Sequence, residues 1–363
     1  MTHQHRHIND GGRQSNDKIL RRIEYIFLSC VLIWMVSSTM ALAGRGDLTG
    51  TTSAPELLIP VGARAIGMGC SSLAIVDGIE ALYWNPAGMV RSNSNTDLLI
   101  SHMAYLADIG VDYLAFSTSL GDIGRLGLSV KSLSFGDIPV TTEDQPDGTG
   151  QFISPTFLNV GGTFARHISD RITAGISSTI IYEKMANVST SGIAFTAGAQ
   201  YMGLGGIDAL GLGVVIRNIG PSLTFGGSGM SHTAQVNDAT RDQYTVLIDA
   251  ASADLPSTIE IGLGYKLDVS TDAHFNFTME FQNNNYSNDE YKLGSEYSFK
   301  NILFIRAGYM FSASGGDQEY IYGATAGIGV RTAINRLNIS VDYAYRATEY
   351  FDGNNVFAVE LEF

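Results

Sequence analysis

Charge is what this chain has least of: 16% of its 363 residues are Asp, Glu, Lys or Arg, against about 25% in ordinary soluble domains. What charge there is leans one way, 22 basic side chains against 36 acidic, for a net charge of −14. An electrostatic footprint for DNA or RNA needs a basic patch, so nucleic acid is not expected as a partner. Cysteine is almost missing. Cys30 and Cys70 are the two, and Cys30 falls in a segment read below as removed, which leaves no partner for an internal disulfide. Histidine lacks metal-ligand spacing: His102, His167, His232 and His274 fall on separate predicted strands, turns or loops without a nearby cysteine, so neither a metal nor another cofactor is expected. No Gly-x-Ser-x-Gly elbow occurs. The glycines of Gly67-Met68-Gly69 and of 203–213 do not open a helix after a strand in a βαβ unit. No catalytic residue can be named on this pattern, and an enzyme is the least favoured class.

What is present is apolar and aromatic: 45% hydrophobic residues, 41 glycines, 17 Tyr and 17 Phe. At the N-terminus, Arg21 and Arg22 precede an apolar run from Ile23 to Met40, closed by Ala41-Leu42-Ala43. That is the layout of a secretory signal peptide over residues 1–43. Glu24 and the short clean apolar core argue against a spanning anchor, which wants about 20 apolar residues. Cys30 sits inside the apolar core, not at its end, which argues against a lipoprotein. From Gly44 to Pro60 the chain is rich in Gly, Thr and Ser without periodicity, an extended periplasmic arm.

The stretch Gly62 to Met89 has small residues at Gly62, Ala63, Ala65, Gly67, Gly69 and Ala74, one charge of each sign at Arg64 and Asp77, and the turn Asn85-Pro86-Ala87-Gly88. Glycine lowers helix propensity and a residue before proline is pushed out of αR, so a long regular element is excluded. Small side chains allow close approach of backbone to backbone, the composition of a segment packed inside something. With these residues and the strand-rich chain after them, the sequence resembles the outer-membrane proteins of the PorV/PorQ type, relatives of the FadL long-chain fatty-acid transporters. The resemblance implies that residues 44–95 form an arm and a plug, or hatch, inside a fourteen-stranded barrel of residues 96–363. It makes Gly62, Arg64, Gly67, Gly69, Asp77, Asn85, Pro86, Ala87 and Gly88 the plug motif.

Beyond the plug the hydrophobic period becomes two. Phe275, Phe277, Met279 and Phe281 alternate with His274, Asn276, Thr278, Glu280 and Gln282, an apolar face against a polar one. Ile259 to Leu267 and Leu337 to Arg346 repeat the pattern. These runs reach about the 9–11 residues that a tilted membrane strand requires. Strands are predicted at 96–105, 110–120, 125–136, 155–166, 171–182, 191–202, 208–218, 257–267, 273–282, 289–299, 302–311, 320–330, 336–346 and 355–363. Twelve and sixteen are the neighbouring even counts. Tight connections alternate with longer ones, among them 137–154, 183–190 and 219–256, as in an all-β, antiparallel transmembrane barrel with short periplasmic turns and longer outer loops. The expected location is the outer membrane of a Gram-negative-type bacterium.

Inward charges are read at Lys131, Glu260, Lys266, Glu280, Lys292, Glu296, Arg306, Asp342 and Arg346, which should pair with each other or with Arg64 and Asp77, because an unpaired charge in a narrow lumen is costly. Tyr105, Tyr182, Tyr201, Tyr309, Tyr343 and Tyr345 suit interfacial girdles. Phe363 ends the chain on an aromatic inside a strand, which by resemblance implies recognition by the outer-membrane assembly machinery. Two functions follow from the resemblance. One is passage of a hydrophobic, fatty-acid-like small molecule captured at the outer loops; the other is a role in type IX secretion, holding or shuttling secreted proteins. The long loop 219–256, with apolar Leu223, Phe225, Val246, Leu247 and Ile248, suits either.

Overall fold

The computed structural model describes residues 48–234, 244–312 and 320–363. The segment 1–47, with Cys30 and the Ala41-Leu42-Ala43 site, lies outside the described residues.

Among the described residues ahead of the strands the chain makes short helical turns: 3-10 turns at Pro55–Leu58, Gly78–Glu80 and Pro86–Arg91, and two α-helical turns, α1 (Ala63–Gly67) and α2 (Ala81–Trp84). Local sequence breaks each of them. Gly62 enters α1 at φ +82, which L side chains rarely adopt, and Asn85, placed before Pro86, is extended at φ −151, ψ 104, which ends α2.

The strands are β1 (Thr96–Ala104), β2 (Gly110–Ser119), β3 (Arg125–Ser134), β4 (Ile138–Pro139), β5 (Phe152–Ile153), β6 (Thr156–His167), β7 (Ile172–Met185), β8 (Val188–Met202) and β9 (Leu210–Ile219). They continue with β10 (Ser231–Ala234), β11 (Tyr244–Leu247), β12 (Thr258–Ser270), β13 (Ala273–Asn284), β14 (Glu290–Phe299), β15 (Leu303–Ser312), β16 (Tyr322–Ile334), β17 (Leu337–Thr348) and β18 (Asn354–Glu362). Fourteen of them close into one antiparallel barrel, in chain order but for the two small hairpins β4–β5 and β10–β11. Closure joins β1 to β18, with Ile100 opposite Val359 and His102 opposite Phe357.

The barrel is the all-β antiparallel fold expected, and all fourteen predicted strands are present with ends displaced by a few residues. Three connections differ. The predicted loop 183–190 is a tight turn, because β7 and β8 keep pairing to Met185 opposite Val188, and Ala186 turns the chain at φ 51. The predicted loops 137–154 and 219–256 carry the β4–β5 and β10–β11 hairpins. Hydrogen bonding within a loop leaves no period long enough to read.

The alternation sorts the wall. Ile100, Leu114, Leu128, Ile176, Ile259, Phe277, Ile305, Ile328, Val341 and Phe357 stand exposed on the outside, the apolar band of a membrane barrel. Between them Asp97, Arg125, Lys131, Glu260, Glu280, Lys292, Glu296, Arg306 and Arg346 are buried on the inside. Tyr182, Tyr309 and Tyr345 are exposed, as girdle positions require. Tyr105 is not one of them: it shares the inward parity of buried Met103 and its hydroxyl meets that of Tyr322 at 2.8 Å. Its position just past the end of β1 hid that parity.

Candidate functional site: the occupied lumen

The largest apolar cluster joins side chains of the short helical turns, among them Ile66, Ile79, Leu82, Trp84 and Met89, to inward residues of the wall such as Leu99, Met103, Val111 and Ala344. Backbone touches backbone where both sides have glycine. A Cβ on Gly67 would come within 3.1 Å of the Gly327 Cα, and one on Gly308 within 2.2 Å of the Gly69 nitrogen. A Cβ on Gly175 would meet the Pro86 carbonyl carbon at 2.5 Å, one on Gly198 the Asn85 Oδ1 at 2.1 Å, and one on Gly88 the Val76 oxygen at 2.1 Å. Glycines inside β7, β8, β15 and β16 therefore mark where the 62–89 stretch runs along the wall, and a glycine inside a strand is the signal that could have predicted it.

Polar wall residues satisfy the carbonyls and amides left open by so many broken helical turns. Thr325 accepts a hydrogen bond from the Gly69 amide at 2.8 Å and donates to the Gly67 carbonyl at 3.0 Å. Gln200 donates to the carbonyls of Leu73 and Val76, both at 2.9 Å. Lys131, without a carboxylate, donates to the carbonyls of Glu56 at 2.7 Å and Ile59 at 3.1 Å. Asn85 is a local staple: its Nδ2 donates to the Leu73 carbonyl at 2.9 Å while Oδ1 accepts from the Ala87 amide at 3.2 Å.

Charges divide into two sets. Towards the short turns, Arg64 pairs with Asp77 at 2.8 Å and with buried Glu296 at 3.2 Å; Glu296 also takes Arg306 at 2.7 Å, and Arg306 reaches Asp342. This chain of alternating sign lines a cavity of about 330 Å³ together with Glu80, Phe304, Arg331, Glu360 and Glu362. Lys266 pairs with Asp268 at its exposed mouth. Burial pushes the Glu80 carboxyl up to about 7 against the pull of Arg64, and among the described residues its Oε2 has no hydrogen-bond partner. Towards the long loops, Arg217 makes a two-point pair with Glu260 at 2.8 and 2.9 Å and Lys292 pairs with Glu280 at 3.1 Å. Here the cavity is of about 300 Å³, edged by Tyr83, Trp84, Tyr105, Tyr286, Tyr320 and Tyr322.

Of the predicted motif, Arg64, Gly67, Gly69, Asn85, Pro86, Ala87 and Gly88 meet the wall or one another in these contacts, Gly62 lies against the Glu80 side chain, and Asp77 is half exposed at the turn-end cavity. Phe363 lies at the closure, its side chain 54% exposed and its backbone bonded to Thr96 at 2.8 Å. Sequence reasoning missed Arg217, Arg125 and Asp97; the last two pair at 2.6 Å with both side chains buried.

No curated protein matches the chain. Among solved structures it is similar to the CymD monoaromatic hydrocarbon channel, with a TM-score of 0.54 and 13% identity over 84% of this chain and 97% of that one. It is similar to the toluene transporter TodX of Pseudomonas putida, with a TM-score of 0.52 and 12% identity over 83% and 96%. A FadL homologue of Pseudomonas aeruginosa aligns with a TM-score of 0.52 and 11% identity over 84% and 98%. At these identities the likeness is one of fold. The family model described as type IX secretion system protein PorV matches residues 44–262. A match over more than half of the chain, on an outer-membrane barrel with the fold of the FadL-type channels, makes this chain a member of the PorV family.

Proposed function

We propose that this protein serves type IX secretion from the outer membrane, holding or handing on secreted proteins at its loop end while its own lumen stays closed by the 62–89 stretch. The observation that carries this reading is the family match over residues 44–262. The lumen agrees with it: the ion-paired interior and the glycine contacts that lock the short helical turns to the wall describe a filled barrel. At the loop end, Ile138 and Phe152 of the β4–β5 hairpin, Leu247 of β11 and the adjacent Ile248 are exposed beyond the wall, an apolar surface of the kind that marks protein contacts. The proposal includes removal of residues 1–43 and reading of Phe363 by the assembly machinery during insertion. Deleting the gene and tracking secreted proteins tests it: they should accumulate in the periplasm and be released again when the gene is restored. Unchanged secretion in the deletion strain rejects the reading.

A second reading, passage of a hydrophobic small molecule, is favoured by the aromatic cavity at the loop end. Uptake of a labelled long-chain fatty acid should then fall when the gene is deleted, and equal uptake would remove it.

A further inference from the structure

We propose that the loop-end cavity binds a small aromatic carboxylate, with the anion on Arg346 and the ring among Tyr105, Tyr320 and Tyr322. The inference goes beyond the secretion reading and does not rest on it. Arg346 is 2% exposed, yet it is provided for differently from the other buried lumen cations. Arg64, Arg125, Arg217, Lys292 and Arg306 each face a carboxylate, and Lys131 is surrounded by backbone carbonyls. The Nε and Nη2 of Arg346 instead share one neutral oxygen, Asn354 Oδ1, at 2.9 and 2.7 Å. Among the described residues no carboxylate lies within ion-pair distance of it. A buried cation without a counter-charge is strongly unfavourable, and the deficit here is open to the cavity that Arg346 lines.

A second observation points the same way. Asn354, whose Oδ1 holds the guanidinium, is fully buried, and among the described residues its Nδ2 has no acceptor, so beside the guanidinium stands another unused donor. Two donors short of an acceptor call for an anion. Of the two acids on the same cavity, Glu260 is paired with Arg217 at 2.8 Å and Glu290 is taken up by the Tyr320 hydroxyl at 3.2 Å.

The rest of the cavity selects what the anion is attached to. The Arg346 guanidinium lies 4.0 Å from the Tyr322 ring centroid and 5.9 Å from that of Tyr105. Tyr320 meets Tyr322 edge to face at 5.8 Å, and Met310, Cys70, Leu58 and Ile59 are among the apolar residues of the lining. A volume of about 300 Å³ stands at the small end of ligand pockets, about 300–1,000 Å³. Planar faces in a short space fit one aromatic ring better than a long flexible chain.

The test is isothermal titration calorimetry on the barrel extracted in detergent, with benzoate as probe, toluene and benzylamine as its neutral and cationic counterparts, and octanoate as a chain acid. Benzoate should saturate one site, and the other three should bind at least about ten-fold more weakly, a difference well within the reach of the method. Arg346→Met should weaken benzoate by a similar factor, with Arg346→Lys recovering part of it. Asn354→Asp supplies the missing counter-charge from within, and should abolish benzoate binding while raising the thermal midpoint of the empty barrel. If Arg346→Met does not fold, Asn354→Asp alone decides. Absence of benzoate binding, toluene, benzylamine or octanoate binding as tightly as benzoate, or unchanged benzoate binding in Asn354→Asp overturns the proposal.

Discussion

The two ends of the lumen are built from the same wall, by the same alternation of strands, and they differ in how their charges are satisfied. At the turn end Arg64, Glu296, Arg306 and Asp342 form one chain of opposite charges. At the loop end aromatic rings replace much of that network, and Arg346 faces a ring and an amide where a carboxylate would be expected. The difference teaches that a polar lumen is not one environment. The stretch between the two cavities brings Arg64 to one side and Tyr83 and Trp84 to the other, so one end is a continuous chain of charge and the other sets two separate ion pairs beside an aromatic cavity.

The largest effect should come from abolishing the comparison. Deleting residues 62–89 joins the two cavities, and since barrels of this size leave interior space that must be filled, ion conductance in planar bilayers should rise strongly. A deletion variant that inserts and stays as closed as the parent would show that the segment does not seal the lumen. Next is the hub of the turn-end network. Glu296→Gln strands Arg64 and Arg306 beside a neutral amide, and removing one partner of a buried pair costs about 3–5 kcal/mol; the change should appear as a lower thermal midpoint. Asp97, buried against Arg125, gives an independent pair for calibration.

The same logic extends through the wall. Phe277→Arg, at a 45% exposed outward position, should destabilise by about 2–4 kcal/mol if it lies near the bilayer midplane, while Asn276→Arg, on the turn-end cavity beside Glu296, should be tolerated much better. Equal losses would reject the inside–outside assignment. Thr278, the other inward neighbour of Phe277, is a poor control: a Cβ on Gly294 would lie 2.5 Å from its hydroxyl and 2.3 Å from the Met68 carbonyl, so that site is already full.

Glu80 sharpens the comparison through pH. Its folded value, about 7, lies above the ordinary carboxyl value of 4.5, so the folded barrel holds the proton more tightly than the unfolded chain does. Its contribution is fully present at low pH and is lost as pH rises through about 7, so stability should fall across that interval and then level off. Glu80→Gln should flatten the fall in thermal midpoint measured across it. The smallest effect belongs to Asp77, whose half-exposed pair with Arg64 contributes about 0–1 kcal/mol. Asp77→Ala should leave the midpoint nearly unchanged and register, if at all, as brief openings in single-channel records.

Much of the barrel was legible because its physics is local. A strand exposed to lipid on one face and lined with polar groups on the other must alternate, so Phe277 and Glu280 announce their sides within four residues of sequence, and most inward charges from Lys131 to Arg346 could be named, though not Asp97, Arg125 or Arg217, while Lys266, read as inward, stands exposed at the turn-end mouth. Where pairing replaced a loop, as at Ala186-Asn187, or where a strand ended, as at Tyr105, no such period was available. The partners of those charges were a different matter. Arg64 lies far along the chain from Glu296, and Arg217 ends one predicted strand while its partner Glu260 begins the next beyond the loop 219–256, so neither contact has a spacing to read. The glycines of β7, β8, β15 and β16 announced close approach without saying to what. Chain chemistry alone determined the alternating wall, its even set of strands and a small-residue segment able to be packed inside it. Which charges pair, which cations among the described residues are left without a counter-charge and where empty space is left depend on the path of residues 62–89 through the closed barrel, since pairing and packing act between residues that only the fold brings together.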